Sequence, residues 1–137
     1  MTYKVMIVDD SVMMRKVIHG LVTKWANFEI VAIVENGKKA LDELTTHPEL
    51  SLILLDLEMP EMDGLEFLQH ARLRTKAKIV VLSSFVQTRS PNALKALQLG
   101  ADAIVPKPFG APSLDLVEKR NAELEHTIKT VLESESC

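Results

Sequence analysis

The sequence contains a single cysteine, few aromatic residues and no apolar stretch long enough to cross a bilayer. With only Cys137 available, no disulfide can form within the chain, which is typical of a reducing compartment. One Trp, one Tyr and four Phe offer little surface for stacking nucleobases, and a net charge of −3 gives no basic footprint for nucleic acid. Strand-like sequence begins at residue 4, which leaves no room for a signal peptide. We therefore expect a cytoplasmic protein that binds neither nucleic acid nor membrane directly.

Apolar runs along the chain predict five strands that alternate with five helices. The strand-like runs are 4–8, 28–34, 50–56, 78–82 and 103–105. Each run is followed by apolar residues at helical spacing, and the first helix is expected to begin at the N-cap Ser11 and to extend its apolar stripe to Trp25. Five βα units require a parallel sheet covered by helices on both faces. We expect one domain over residues 1–132, with 133–137 as a disordered tail or the start of a linker.

The clearest functional signal is a buried strand that ends on an acid. Residues 52–55 are all large and apolar, which is typical of the central strand of a parallel sheet, and Asp56 follows them. The first strand ends similarly, on Asp9 and Asp10. If both strands belong to one sheet, three carboxylates meet at the edge where ligands of such sheets bind. Because like charges raise one another's pKa, a cation should join them, and carboxylates completed by water are typical ligands of Mg²⁺.

Two more polar residues are predicted at the same edge. Ser83 ends the fourth strand and Lys107 lies just beyond the fifth. Together with the acids they form a coherent set for phosphoryl transfer, in which Asp56 is the nucleophile, Ser83 donates a hydrogen bond and Lys107 supplies a positive charge. Each residue alone is better explained as a cap, a loop hydroxyl or a solvated side chain. Their joint placement at one edge favours a site.

These motifs resemble the receiver domain of two-component response regulators. The matching stretches are 8–11, 55–64, 83–84, 100–101 and 107–108. The resemblance implies a flavodoxin-like (βα)5 fold, with a doubly wound five-stranded parallel sheet in the order 2-1-3-4-5. It also implies a signalling switch in which a histidine kinase supplies the phosphoryl group.

The resemblance assigns a role to each residue of the site. Asp56 is the phosphoacceptor, and Ser83 and Lys107 contact the phosphoryl group. Mg²⁺ is held by Asp9, Asp10, Asp56 and the backbone carbonyl of Glu58, with Asp10 as a direct ligand and Asp9 acting largely through water. A pseudo-receiver that accepts no phosphate is disfavoured by the complete set of acids and Lys107.

Residues 10–15, 83–84 and 112–116 resemble the receiver of chemotaxis protein-glutamate methylesterases. Those proteins carry a separate catalytic domain, for which this sequence has no G-x-S-x-G motif. The chain is therefore either a stand-alone receiver or the regulatory part of such a methylesterase. In both cases no catalysis is expected beyond phosphotransfer to itself and autodephosphorylation. A Mg²⁺-dependent phosphotransferase or phosphatase acting through an aspartyl phosphate is a weaker alternative, because it would usually need a further acid and a substrate cap.

One position departs from the family pattern in a way that concerns signal output. Ile104 occupies the place where receivers usually have Tyr or Phe, and it is too short and stiff to bury or expose a large ring. We therefore expect the output to depend on the loop 83–90, including Phe85. The helix 91–99 and the face of the fifth strand would then contact a downstream protein or an attached effector domain.

Overall fold

The computed structural model describes residues 2–57, 63–84, 88–107 and 114–133, in which five strands alternate with five α-helices. The strands are β1 (Tyr3–Val8), β2 (Phe28–Val34), β3 (Leu52–Asp56), β4 (Lys78–Ser83) and β5 (Ala103–Pro106). The helices are α1 (Val12–Val22), α2 (Gly37–Thr46), α3 (Gly64–Ala71), α4 (Pro91–Gln98) and α5 (Leu114–Glu133). The predicted alternation of strands and helices is confirmed.

The strands form one parallel sheet in the order β2-β1-β3-β4-β5. This is the doubly wound, flavodoxin-like order that the family resemblance implied. All five residues of β3 are buried, as the run of large apolar residues predicted. Among the described residues α5 is the longest helix, and neither it nor any other helix carries an apolar stretch that could span a membrane.

Alternate residues of the strands point to opposite faces of the sheet, and each face has its own core. One core joins α1 and α5 to the sheet through Met14, Ile18, Val22, Leu124, Ile128 and Leu132. The other joins α2, α3 and α4 to the sheet through Ala40, Leu44, Phe67, Leu68, Ala71 and Ala96. The two layers of helices cover both faces of the sheet, and the carboxyl ends of the parallel strands β1, β3 and β5 lie at one edge.

Helix starts follow closely on strand ends because polar side chains cap them. The Ser11 hydroxyl accepts a hydrogen bond from the Met14 amide at 3.1 Å, and α1 begins at Val12, only four residues after the end of β1. Asn36 caps α2 in the same way through the Lys39 amide. The short connections leave the acids after β1 little freedom to move away from the sheet edge.

The first helix is shorter than the sequence pattern predicted. It ends at Val22, and the Lys24 and Trp25 amides then donate to carbonyls three residues back, which tightens the chain into a turn. Asn27 completes the turn with a positive φ of 71°. Trp25 therefore lies outside α1, where its ring packs edge-on against Phe28 with centroids 5.6 Å apart.

The predicted domain limits stay a prediction. Helix α5 continues through Glu133, one residue beyond the expected end of the domain at 132. Residues 134–137, predicted as a tail or linker, lie outside the described part of the chain.

Candidate functional site

Three carboxylates meet at the carboxyl ends of β1 and β3. Asp9 and Asp10 directly follow β1, and Asp56 is the last residue of β3. The two strands pair in parallel with Val8 opposite Leu55, so the next residues, Asp9 and Asp56, are carried to the edge side by side. The three side chains each offer an oxygen atom within 4.8 Å of the others. Asp9 and Asp56 are buried, whereas Asp10 is exposed.

Lys107 brings a positive charge into this cluster. It follows β5, and its backbone amide donates to the Ser83 carbonyl at 2.7 Å, which fixes it beside the end of β4. Its Nζ lies 3.4 Å from Asp9 Oδ2 and 3.4 Å from Asp56 Oδ1. Burial lowers the pKa of Lys107, but the negative charges of Asp56 and then Asp9 outweigh burial, and the net shift is upward. The amine is therefore charged at neutral pH and offsets part of the acid charge.

Ser83 lies where the sequence predicted it, as the buried last residue of β4. It lines a small cavity of about 70 Å³ at the sheet edge. The other lining residues are Asp56, Leu57, Ser84, Ser90, Asn92 and Lys107. The predicted nucleophile, hydroxyl and lysine thus share one cavity. Ser90 and Asn92 were not predicted to line it, because nothing in the sequence shows that the start of α4 turns toward β3.

Two predicted features fall on residues that the structure does not describe. The carbonyl of Glu58, expected as a metal ligand, and Phe85, expected in the output loop, both lie outside the described ranges. Ile104 is described, and it is half-buried against the core on the α2, α3 and α4 side of the sheet. Its part in signal output stays a prediction.

Arg15 is a site residue that the sequence did not reveal. Its Nη1 donates a hydrogen bond to the backbone carbonyl of Asp9 at 2.7 Å. The Oδ1 atom of Asp9 accepts from the Ser11 amide at 2.9 Å. The contact could have been suspected from a cation placed one turn into the helix that follows the acid pair, but spacing alone does not tell toward which atom it turns.

The donor set fits a hard divalent cation such as Mg²⁺. All three groups are carboxylates, which are ligands that Mg²⁺ prefers. Asp9 Oδ2 is buried and makes no hydrogen bond within the described residues, although a charged carboxylate oxygen in that position needs a positive partner. Lys107 supplies one at ion-pair distance, and the total charge of the three acids and the lysine is still negative. Asp9, Asp10 and Asp56 are therefore the described residues that would hold the ion.

Removal of one acid charge is expected to stabilise the protein when no metal is bound. Asp10 and its two neighbours repel one another, and Asp10, unlike Asp9 and Asp56, forms no ion pair with Lys107. We expect Asp10→Asn to raise the free energy of unfolding in EDTA by roughly 1 kcal/mol, and Asp56→Asn to raise it less because it also weakens the Lys107 contact. Urea melts measure both values. A lower urea midpoint for Asp10→Asn than for wild type would contradict the repulsion account.

Comparison with known proteins agrees with the observed fold. Residues 5–118 match the response regulator receiver domain family. A protein-glutamate methylesterase/protein-glutamine glutaminase of Treponema pallidum is 43% identical over 113 residues, which are 82% of this chain and 28% of that protein. One from Carboxydothermus hydrogenoformans is 36% identical over 132 residues, which are 96% of this chain and 36% of that protein. The chain thus spans about a third of the length of these relatives.

Solved structures of similar fold include chemotaxis proteins. The complex of the P1 domain of CheA3 with CheY6 from R. sphaeroides contains a chain that is 47% identical, with a TM-score of 0.80 and coverage of 96% of this chain and 97% of that one. The response regulator domain of Thermotoga maritima CheB is 25% identical, with a TM-score of 0.83 and coverage of 97% and 98%. The match over residues 5–118, the strand order and the acid cluster lead to one conclusion. The chain belongs to the response regulator receiver domain family.

Proposed function

We propose that this chain is a phosphorylation-dependent switch that accepts a phosphoryl group on Asp56 from a histidine kinase, with Mg²⁺ bound beside it. The observation that carries the proposal is the position of Lys107 Nζ, 3.4 Å from both Asp9 and Asp56, at the edge where the three acids converge. A buried carboxylate, a charged lysine and a metal-binding acid pair are the components that phosphoryl transfer to a carboxylate requires.

Each residue has a defined part in the proposed transfer. An oxygen of the Asp56 carboxylate attacks the phosphorus of a phosphohistidine, and the new O–P bond forms as the P–N bond breaks. The imidazole leaves with the electron pair and takes up a proton from water. Lys107 then pairs with a phosphoryl oxygen instead of the Asp56 carboxylate, and the Ser83 hydroxyl donates to another. Mg²⁺, when bound, supplies positive charge to the phosphoryl oxygens.

The geometry explains why Asp56, and not another acid, is the expected acceptor. Asp56 shares the cavity with Ser83 and Lys107, whereas Asp9 is buried against Ser11 and Arg15 with its oxygens already engaged or facing Lys107. Asp10 is exposed and is not among the residues that line the cavity. Asp56 therefore combines access from the cavity with the neighbours that stabilise a phosphoryl group.

Intact mass spectrometry tests the acceptor. Wild type incubated with acetyl phosphate and Mg²⁺ is expected to gain one phosphoryl mass, and Asp56→Asn is expected to gain none. Asp42→Asn, which removes an exposed acid on α2, is the matched control and should react as wild type does. If Asp56→Asn gains the phosphoryl mass as readily as wild type, the assignment of Asp56 is wrong.

The relatives support a chemotaxis-type system in particular. The curated relatives above are methylesterases, and the neighbour of 47% identity was solved in a complex of a CheA3 P1 domain with CheY6. We infer a histidine kinase of the CheA type as the phosphodonor. The chain acts either as a stand-alone receiver or as the regulatory receiver of a methylesterase. The native reading frame after Cys137 distinguishes the two, because a methylesterase continues into a catalytic domain.

The phosphorylated state is proposed to be read on α4 and the neighbouring face of β5. Leu94 and Leu97 on α4 expose 58% and 45% of their surface, which gives this helix apolar contacts for a partner. We expect beryllofluoride with Mg²⁺ to shift the backbone amide resonances of Ser83–Leu94 and to do so still in Ile104→Ala. Loss of that response in Ile104→Ala, with beryllofluoride binding intact, would make Ile104 a switch residue.

A further inference from the structure

Asp9 is held by contacts to all three of its oxygen atoms, from Arg15, Ser11 and Lys107. The backbone carbonyl accepts from Arg15 Nη1 at 2.7 Å. Oδ1 accepts from the Ser11 amide at 2.9 Å, and Oδ2 lies 3.4 Å from Lys107 Nζ. The Asp9 amide itself donates to the Val34 carbonyl at 3.1 Å, which fixes the residue to the neighbouring strand.

Asp10 lacks comparable support from its own side chain. It is exposed, and its carboxylate has no hydrogen bond or ion pair to any residue in the described ranges. Its direction therefore depends on the backbone that carries it. The carbonyl of Asp9 and the amide of Asp10 belong to one planar peptide group, so a donor that holds the carbonyl oxygen also sets the plane from which Asp10 projects.

Arg15 is the side chain that holds this peptide. It lies on the first turns of α1, where its amide donates to the Ser11 carbonyl at 3.0 Å, and its guanidinium reaches back to the Asp9 carbonyl. The register between β1 and β2 ends at Val8 and Val34, so the Asp9 carbonyl lies past the last strand pair. The Arg15 guanidinium thus supplies a hydrogen bond to a carbonyl that lies just beyond the paired part of the two strands.

We propose that Arg15 is a positioning residue for the metal site, which fixes the Asp9–Asp10 peptide so that the Asp10 carboxylate is directed at the cation. This inference rests on the proposed function, because it assumes that Asp10 binds the metal. A residue that supports a metal ligand in this way typically contributes tenfold to hundredfold in affinity.

Because Arg15 is positively charged, its removal should change the Mg²⁺ affinity in opposite directions if it acts through its charge or through its hydrogen bond. By charge alone, removal of a cation near three acids would tighten the binding of another cation. Positioning predicts the opposite, a weaker site. Lys16 is the matched control, because it is the next residue of α1, carries the same charge and is exposed.

Titration of Mg²⁺ into the apo protein by calorimetry tests the inference. We expect Arg15→Met, which keeps an apolar stem but no donor, to bind Mg²⁺ about tenfold more weakly than wild type. Arg15→Lys, which can still donate to the carbonyl, should fall between the two, and Lys16→Met should bind within about twofold of wild type or slightly more tightly. Urea melts in EDTA verify that each variant is folded. If Arg15→Met does not fold, the Mg²⁺ affinity of Arg15→Lys is compared with that of wild type instead, and an affinity equal to that of wild type would contradict the inference.

The outcomes separate this inference from the proposed function. If wild type binds no Mg²⁺, the proposed function fails. If wild type binds Mg²⁺ and folded Arg15→Met binds it equally or more tightly, Arg15 is a structural residue and only this inference is overturned. A drop in affinity for Lys16→Met as large as that for Arg15→Met would also overturn it, because the effect would then not depend on the carbonyl contact.

Discussion

Phosphoryl uptake by Asp56 is expected to fall about a hundredfold or more when Mg²⁺ is removed with EDTA, and by a similar factor in Asp10→Ala with Mg²⁺ present. A cation at this site neutralises charge on the transferred group, an effect worth several kcal/mol, and about 1.4 kcal/mol corresponds to a factor of ten in rate. Asp10 is the acid with the most accessible oxygens, since its side chain is exposed, whereas both carboxylate oxygens of Asp9 face Ser11 or Lys107. Its removal should therefore cost more than that of Asp9.

The measurement is the rate of phosphoryl gain from acetyl phosphate, followed by intact mass at a fixed Mg²⁺ concentration. Asp9→Asn, which can still accept from the Ser11 amide, is expected to lose less activity than Asp10→Ala. Asp42→Ala removes an exposed acid from α2 and should leave the rate unchanged. Phosphorylation that survives both EDTA and Asp10→Ala would rule out the metal site.

Much of the fold could be predicted because its signals are local. Runs of large apolar residues mark strands that are buried on both faces, and β3 is buried at every position. Capping residues mark helix starts, and Ser90, followed by Pro91 at the first helical position, begins α4. The strand order was not derivable from these patterns and came from the family resemblance, because a run of apolar residues does not specify its neighbours.

The sequence predicted that the three acids, Ser83 and Lys107 lie at one edge of the sheet, but it did not predict the contacts among them. That residues after β1, β3, β4 and β5 share one edge follows from a parallel sheet. The bridging position of Lys107 between Asp9 and Asp56 depends on where the chain turns after β5, and the sequence does not encode that in any local pattern. The contact of Arg15 with the Asp9 carbonyl was also missed, because it depends on the rotamer of a long side chain, which no local sequence pattern specifies.

The close approach of α3 to the end of β3 was also beyond prediction. Gly64 is the first residue of α3, and its amide donates to the Leu57 carbonyl at 2.9 Å. A Cβ atom at this position would lie 2.6 Å from the Asp56 carbonyl oxygen and 2.6 Å from Leu57 Cα. Both atoms belong to the backbone at and beside Asp56, the proposed phosphoacceptor, so neither can give way by a side-chain rotation.

We expect Gly64→Ala to lower the free energy of unfolding by about 2 kcal/mol, in the range measured for overpacked cores. Gly20→Ala is the matched control, because Gly20 lies within α1 and a Cβ there would meet nothing within 4 Å. That variant should gain roughly 0.5–1 kcal/mol from the better helix propensity of alanine. The two changes are chemically identical, so their opposite signs isolate the close contact at Gly64.

Urea melts of both variants give the two free energies, and the rate of phosphoryl uptake tests the link to function. The added Cβ would be too close to the Asp56 carbonyl oxygen and to Leu57 Cα, so the end of β3 must shift to make room for it. This shift would also move the Asp56 side chain relative to Lys107. Uptake by the folded fraction of Gly64→Ala should therefore be slower than that of wild type, while Gly20→Ala should react at the wild-type rate. If Gly64→Ala is stabilised as Gly20→Ala is expected to be, the backbone at the end of β3 is not in close contact with α3. If it is destabilised but reacts normally, the strand end relaxes without moving the acceptor.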